Sequence, residues 1–222
     1  MNKSTTDIAF GTLVSCALAL AAFSAAGADS RSKEDVIEIQ GLRVDLHLLS
    51  SRQRKTMLPS LEKQIEVTMS ATVPESVREF FKTVTIVADP AMLAAQTNGQ
   101  YMQNDSPPYI RMKPIELPAE RAILLHEYMH AFDHQVIKGS TPDIRLAYAR
   151  AKNAEIYPAE YQSAAFLYNQ QEFFANMATT FLLGKSERPP YSCSVIVKAQ
   201  PRFVQYLTTL FGPHECADQN AR

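Results

Sequence analysis

The stretch Leu124-Leu125-His126-Glu127-Tyr128-Met129-His130 decides how this chain is read. It lies in a run from Ala119 to Ile137 that holds no glycine or proline and is closed by Gly139 and Pro142. Pro118 opens the run at a first helical position, where its missing N–H costs nothing, so the pattern predicts a helix of about five turns. Two histidines four apart leave one helix face a turn apart, so both imidazoles can grip one metal ion, and a zinc ion fits that geometry. Glu127 projects beside them, where a carboxylate that is not a ligand can take a proton from a zinc-bound water.

A catalytic zinc needs a third protein ligand and one open position. Downstream, Asn169-Gln170-Gln171-Glu172-Phe173-Phe174-Ala175-Asn176 places Glu172 among apolar neighbours in a long predicted helix, from about Ala159 to Leu183, preceded by Pro158 and ended by Gly184. A carboxylate buried there is costly unless paired, and a zinc ion supplies the pairing; alone, Glu172 also reads as a surface residue of an amphipathic helix. His134 competes for the role. Its Cα would lie about 12 Å along the axis from that of His126, too far for three rings to meet on one ion, which leaves it solvated or behind the ligands. Asp133 and Asn176 are candidates to accept the outer N–H of a ligand histidine, and Asp133 reads equally as a surface charge.

Upstream, apolar and polar residues alternate from Val36 to Leu49, the period of a half-buried strand, with Gly41 marking a bend or bulge within it. Met57, Leu58, Leu61, Ile65 and Met69 predict a helix over 57–69, Pro74 to Lys82 a second, and Val84 to Ala88 a buried strand. Gln100–Gln103 and Tyr109–Met112 read as one hairpin directly before the histidine helix. Such a hairpin leaves a sheet edge beside the metal, which an extended peptide can join through backbone hydrogen bonds; it reads equally as an ordinary exposed hairpin. Further helices are predicted over Ile144–Asn153 and 201–211.

A length of 222 residues, 46% of them hydrophobic, suits one domain with a sizeable core. Lysine plus arginine number 22 against 23 acidic residues, which offers no electrostatic capture of nucleic acid or of an anionic membrane. Residues 1–28 read as a signal peptide: a short polar start with Lys3, an Ala-rich apolar run from Ile8 to Ala26, and Ala26-Gly27-Ala28 as a small-x-small cleavage site. The expected setting is exported, periplasmic or secreted, with residues 29–222 as a single domain. Leu13-Val14-Ser15-Cys16 also resembles a lipobox, so a lipid anchor at Cys16 stays open as the one membrane association. Cys193 and Cys216 remain after cleavage, and an even count in an exported chain suggests one disulfide closing a loop of about 24 residues, worth roughly 3 kcal/mol.

His126-Glu127-x-x-His130-Ala131-Phe132-Asp133 together with Asn169-x-x-Glu172-Phe173-Phe174-Ala175 resembles the catalytic core of the anthrax lethal factor-like zinc metallopeptidases, a gluzincin group that includes secreted Pro-Pro endopeptidases. The likeness covers about residues 118 to 185. It implies one Zn2+ per chain held by His126, His130 and Glu172, Glu127 as general base, a peptide or protein substrate, and an α+β, mostly helical zincin-like domain with a small N-terminal mixed sheet. Two positions depart from the family pattern. Asn176 stands where an acidic residue usually follows the glutamate ligand by four, and Ala165 stands where a tyrosine stabilises the oxyanion two turns before that ligand. On the predicted long helix Tyr168 and Tyr161 share the face of Glu172, and Tyr168 is the nearer substitute. The expectation is an exported zinc endopeptidase. The alternatives are a zinc-stabilised binding or inhibitory module that has lost catalysis, and a metal-free domain with an accidental motif.

Overall fold

The computed structural model describes residues 35–118, 120–139, 141–153 and 156–214. The chain is α+β. The alternating segment at its start forms two strands rather than one, β1 (Val36–Ile39) and β2 (Leu42–Asp45), because Gln40 and Gly41 take φ of 50° and 83° and fold the chain back as a hairpin. Helices α1 (Ser51–Ser70) and α2 (Glu75–Thr83) follow, then β3 (Ile86–Ala88), β4 (Gly99–Met102) and β5 (Tyr109–Met112). The sheet order is β1-β2-β3-β5-β4. β2, β3 and β5 run parallel, and the two edges, β1 and β4, are antiparallel to their neighbours.

Register sets what β4 shows to its surroundings. Lys113 N–H donates to the Asn98 carbonyl at 2.9 Å, and Gly99 faces Met112 in the next position. Bonded and non-bonded pairs alternate along an antiparallel ladder, so Gly99 and Tyr101 turn both N–H and C=O away from β5.

Helix α3 (Ile123–Phe132) carries the histidine motif and packs on α1, on β4 and on α5 (Gln170–Leu183). It is shorter at its start than the run from Ala119 predicts. Ala122 is not helical, at φ −79° and ψ 60°, and has no side-chain cap. The start is held from α1 instead: the buried Gln64 Nε2 donates to the carbonyls of Pro118 (2.9 Å) and Arg121 (2.7 Å), and its Oε1 accepts from Leu124 N–H at 3.2 Å. Pro118 is therefore part of the approach to the helix, not its first residue. At the far end α3 widens into a π-turn over Asp133–Ile137, closed by Lys138 and Gly139 at positive φ.

The long helix expected from Ala159 to Leu183 is broken. Single 3₁₀ turns at Ala159–Tyr161 and Ala165–Leu167 precede α5, and Asn169 ends the irregular stretch in an extended conformation. Its Oδ1 accepts from Glu172 N–H at 2.8 Å, an N-cap that starts the helix at Gln170. The turns upstream bring Tyr157, Tyr161 and Phe166 together in the core, the two tyrosines stacked on each other and both edge-to-face with Phe166.

α1 begins at Ser51, ahead of the expected 57, because Ser50 and Gln53 form a capping box. Helix α4 (Pro142–Ala151) and helix α7 (Pro201–Phe211) lie where the pattern places them, and α6 (Cys193–Ala199) is additional. Cys193 is buried at the start of α6; Cys216, its expected disulfide partner, lies outside the described residues, as does the segment read as a signal peptide. Among the described residues no helix is long and apolar enough to cross a membrane.

Candidate metal centre

α3 and α5 are apolar around most of their circumference, with Leu124, Leu125, Tyr128, Met129, Phe173, Phe174, Met177 and Phe181 all buried. One polar strip on each helix is left, and the two strips face one cleft of about 790 Å³. From α3 come His126, Glu127 and His130; from α5 come Gln171 and, one residue per turn, Glu172, Asn176 and Thr179, with the apolar Leu183 at the end. The segment Gln96–Asn104, which includes β4 packed on α3, also lines the cleft.

His126 Nε2 and His130 Nε2 are 3.0 Å apart with their rings perpendicular. Glu172 Oε2 lies 3.4 Å from His126 Nε2, and Oε1 lies 3.3 Å from His130 Nε2. A tetrahedral ion bound at 2.0–2.1 Å keeps its donors about 3.3 Å apart, whereas a charge-assisted hydrogen bond closes to about 2.8 Å. The carboxylate turns one oxygen to each imidazole at the separation of donors around one ion, the two imidazole nitrogens are slightly closer, and one atom from each of the three residues falls within 4.8 Å of the others. Two nitrogens and one carboxylate oxygen are also a donor set that zinc accepts. His126, His130 and Glu172 are the one such group among the described residues, and His134 is not in it.

The electrostatics fit the same use. Burial pushes the Glu172 carboxyl up, but the two imidazoles outweigh it and hold the group well below the usual carboxylate range. Burial pulls His130 down, and Glu172, with Glu127 and Asp133 behind it, reverses that and raises it above its ordinary value. Glu172 sits in the first turn of α5, where the helix dipole favours an ionised carboxylate. Asn176 does not accept from a histidine. It is instead a donor, its Nδ2 reaching the Glu172 carbonyl at 2.8 Å and Glu172 Oε2 at 3.3 Å, so it steers the carboxylate. Asp133 is 4% exposed and burial raises its carboxyl, with Oδ1 bonded to nothing among the described residues.

Glu127 is 7% exposed and stands beside the group without joining it. Its Oε2 accepts from the outward N–H of Tyr101 at 2.9 Å. Gly99 lies so close that a Cβ there would meet Glu127 Cγ at 2.8 Å and Ile123 Cγ2 at 2.9 Å. Tyr101 is tied at its other end too: Gln135 Nε2 donates to its hydroxyl at 2.9 Å, and that hydroxyl is 2.9 Å from Nδ1 of the exposed His134. His134 is thus a brace between the π-turn and β4.

The two tyrosines proposed for the oxyanion part company. Tyr161 is 8% exposed in the aromatic cluster with Tyr157 and Phe166, outside the residues that line the cleft. Tyr168 lines the cleft with Ala165 and is 69% exposed. Neither shares a helix with Glu172, because Asn169 starts α5 after both. Gly99, Tyr101 and Thr179 are not marked as site residues by the sequence: Asn98-Gly99 has the composition of a turn, and nothing local singles out the other two.

Comparison of the chain with protein families, with curated proteins and with solved structures returned no match.

Proposed function

We propose that this chain is a zincin-like zinc metallopeptidase of the exported kind, acting within a peptide or protein chain. The observation that carries the reading is the convergence of His126, His130 and Glu172 at ligand spacing from two helices that the sequence joins only through packing. Bound there, zinc supplies Lewis-acid polarisation of a carbonyl and acidification of a water. Glu127 is the group of this chain that accepts the proton of the attacking water and delivers it to the departing amine. Its enclosure between Gly99 and the Tyr101 amide fixes it for that task. The outward carbonyls of Gly99 and Tyr101 are acceptors for the N–H groups of an extended substrate lying along β4.

Glu127→Gln keeps size and hydrogen bonding and removes the base. Peptide hydrolysis should fall by about 10³-fold while zinc stays near one per chain. Cleavage at the wild-type rate, read by mass spectrometry on a diverse peptide mixture, would sink the proposal.

The exposed Tyr168 and the Ala165 position favour a second reading, a zinc-stabilised binding module. That protein would hold zinc and retain peptides, yet the wild type would cleave no member of the mixture.

A further inference from the structure

One end of the cleft has features that zinc binding and proton transfer do not use. Thr179 lies on α5 seven residues beyond Glu172, about 10 Å along the axis, at the end where α3 begins. Its side chain is 7% exposed, yet Oγ1 has no hydrogen-bond partner among the described residues. A buried hydroxyl without a partner costs about 1–3 kcal/mol, so its retention on a cleft wall calls for a partner that arrives with a ligand. Ile123 at the start of α3 and Leu183, one turn after Thr179 on α5, are apolar residues of the same cleft lining. Lys185 and Arg188, just past the end of α5, line the same end, and neither pairs with a carboxylate among the described residues. Arg121 differs, since its Nε lies 3.4 Å from Glu187 Oε2; with Glu120 beside Arg121 in the lining, the cations Arg121, Lys185 and Arg188 stand against the carboxylates Glu120 and Glu187, an excess of one positive charge.

We infer that this end of the cleft is a side-chain subsite selecting an acidic residue of the substrate, with the methylenes of an aspartate or glutamate against Ile123 and Leu183, Thr179 donating to its carboxylate, and Lys185 and Arg188 supplying the charge. This rests on the peptidase reading for the substrate being a peptide, while the selectivity has its own carriers. An apolar side chain of equal length would leave the hydroxyl unsatisfied, and a carboxamide would forgo the two cations.

The test uses three peptides that differ only in glutamate, glutamine or leucine at one position, scanned along the peptide. Binding to zinc-loaded Glu127→Gln protein is read by fluorescence anisotropy, and cleavage is read separately with the wild type. At one position the glutamate peptide should bind about tenfold more tightly than the leucine peptide. Thr179→Val, which keeps the shape, should erase most of that preference and leave the leucine peptide unchanged. The pair Lys185→Gln and Arg188→Gln should merge the glutamate and glutamine peptides. Equal or tighter binding of leucine at every position, an unaltered preference in Thr179→Val, or no binding by any peptide at millimolar concentration overturns the inference. A glutamate preference in binding without wild-type cleavage would reject the peptidase and keep the subsite; cleavage without preference would do the reverse.

Discussion

At the scale of the residue, the centre depends on one glycine that the sequence presents as turn punctuation. Gly99 is in a strand, and its constraint is the adjacent Glu127 side chain, 2.8 Å from where a Cβ would stand. Gly99→Ala should push the Glu127 carboxylate off its bond to Tyr101 and lower turnover by about 100-fold, since a displacement near 1 Å is enough for that loss. Zinc content, measured by elemental analysis, should not change, because the atoms nearest a Cβ there belong to Glu127 and Ile123 and not to His126, His130 or Glu172. A loss of zinc in Gly99→Ala would show that the strand supports the ligands as well as the base. His126, Glu127 and His130 were readable because their spacing is itself the chemistry. Gly99 was not, because its neighbour comes from another element.

At the scale of the element, α5 shows where local pattern stops being informative. The run from Ala159 to Leu183 holds good helix formers and no glycine or proline, so periodicity extends one helix through it. Burial of Tyr161 and Phe166 and the cap at Asn169 win over propensity, and the helix starts at Gln170. That start places Glu172 in the first turn. Asn169→Ala should cost about 1 kcal/mol and lower the melting temperature by about 2–4 °C, while Asn169→Asp, an equally good cap, should restore it. The zinc affinity of Asn169→Ala, from competition with a chelator, should fall alongside, because Glu172 N–H is the group released. α3 teaches the same lesson in reverse. Its first turn is satisfied by Gln64, some 60 positions upstream, which no window around Pro118 contains. Where cap and helix are contiguous, as at Ser50-x-x-Gln53 and Thr141-Pro142, the signal is present in the residues themselves.

At the scale of the molecule, the ligands belong to two core helices, so metal occupancy and folding are linked. Free zinc at about 100 times its dissociation constant should add about 2.7 kcal/mol to stability. The metal-free protein has its own pH dependence. His130 is raised above its ordinary 6.5, so its contribution is complete below that value and fades as pH rises through the folded one. Glu172 is lowered below its ordinary 4.5, so its contribution is complete above that value and fades only as pH falls well beneath it. Thermal melts of metal-free protein should therefore show the largest benefit of this pair between about pH 4.5 and 6.5, and zinc, which must displace the His130 proton, should bind more weakly there than at pH 8. A pH-independent zinc affinity over that range would contradict the coupling. The hairpin before α3 and the two helices that carry the ligands were visible as patterns and the mixed sheet only through the family resemblance, while the cleft between them was not visible, because packing alone creates it. The bond from Tyr101 N–H to Glu127 adds a last consequence. A chain that lengthens the sheet at β4 through that amide must first take it from the carboxylate, so the freedom of Glu127 is coupled to occupancy of the edge beside it.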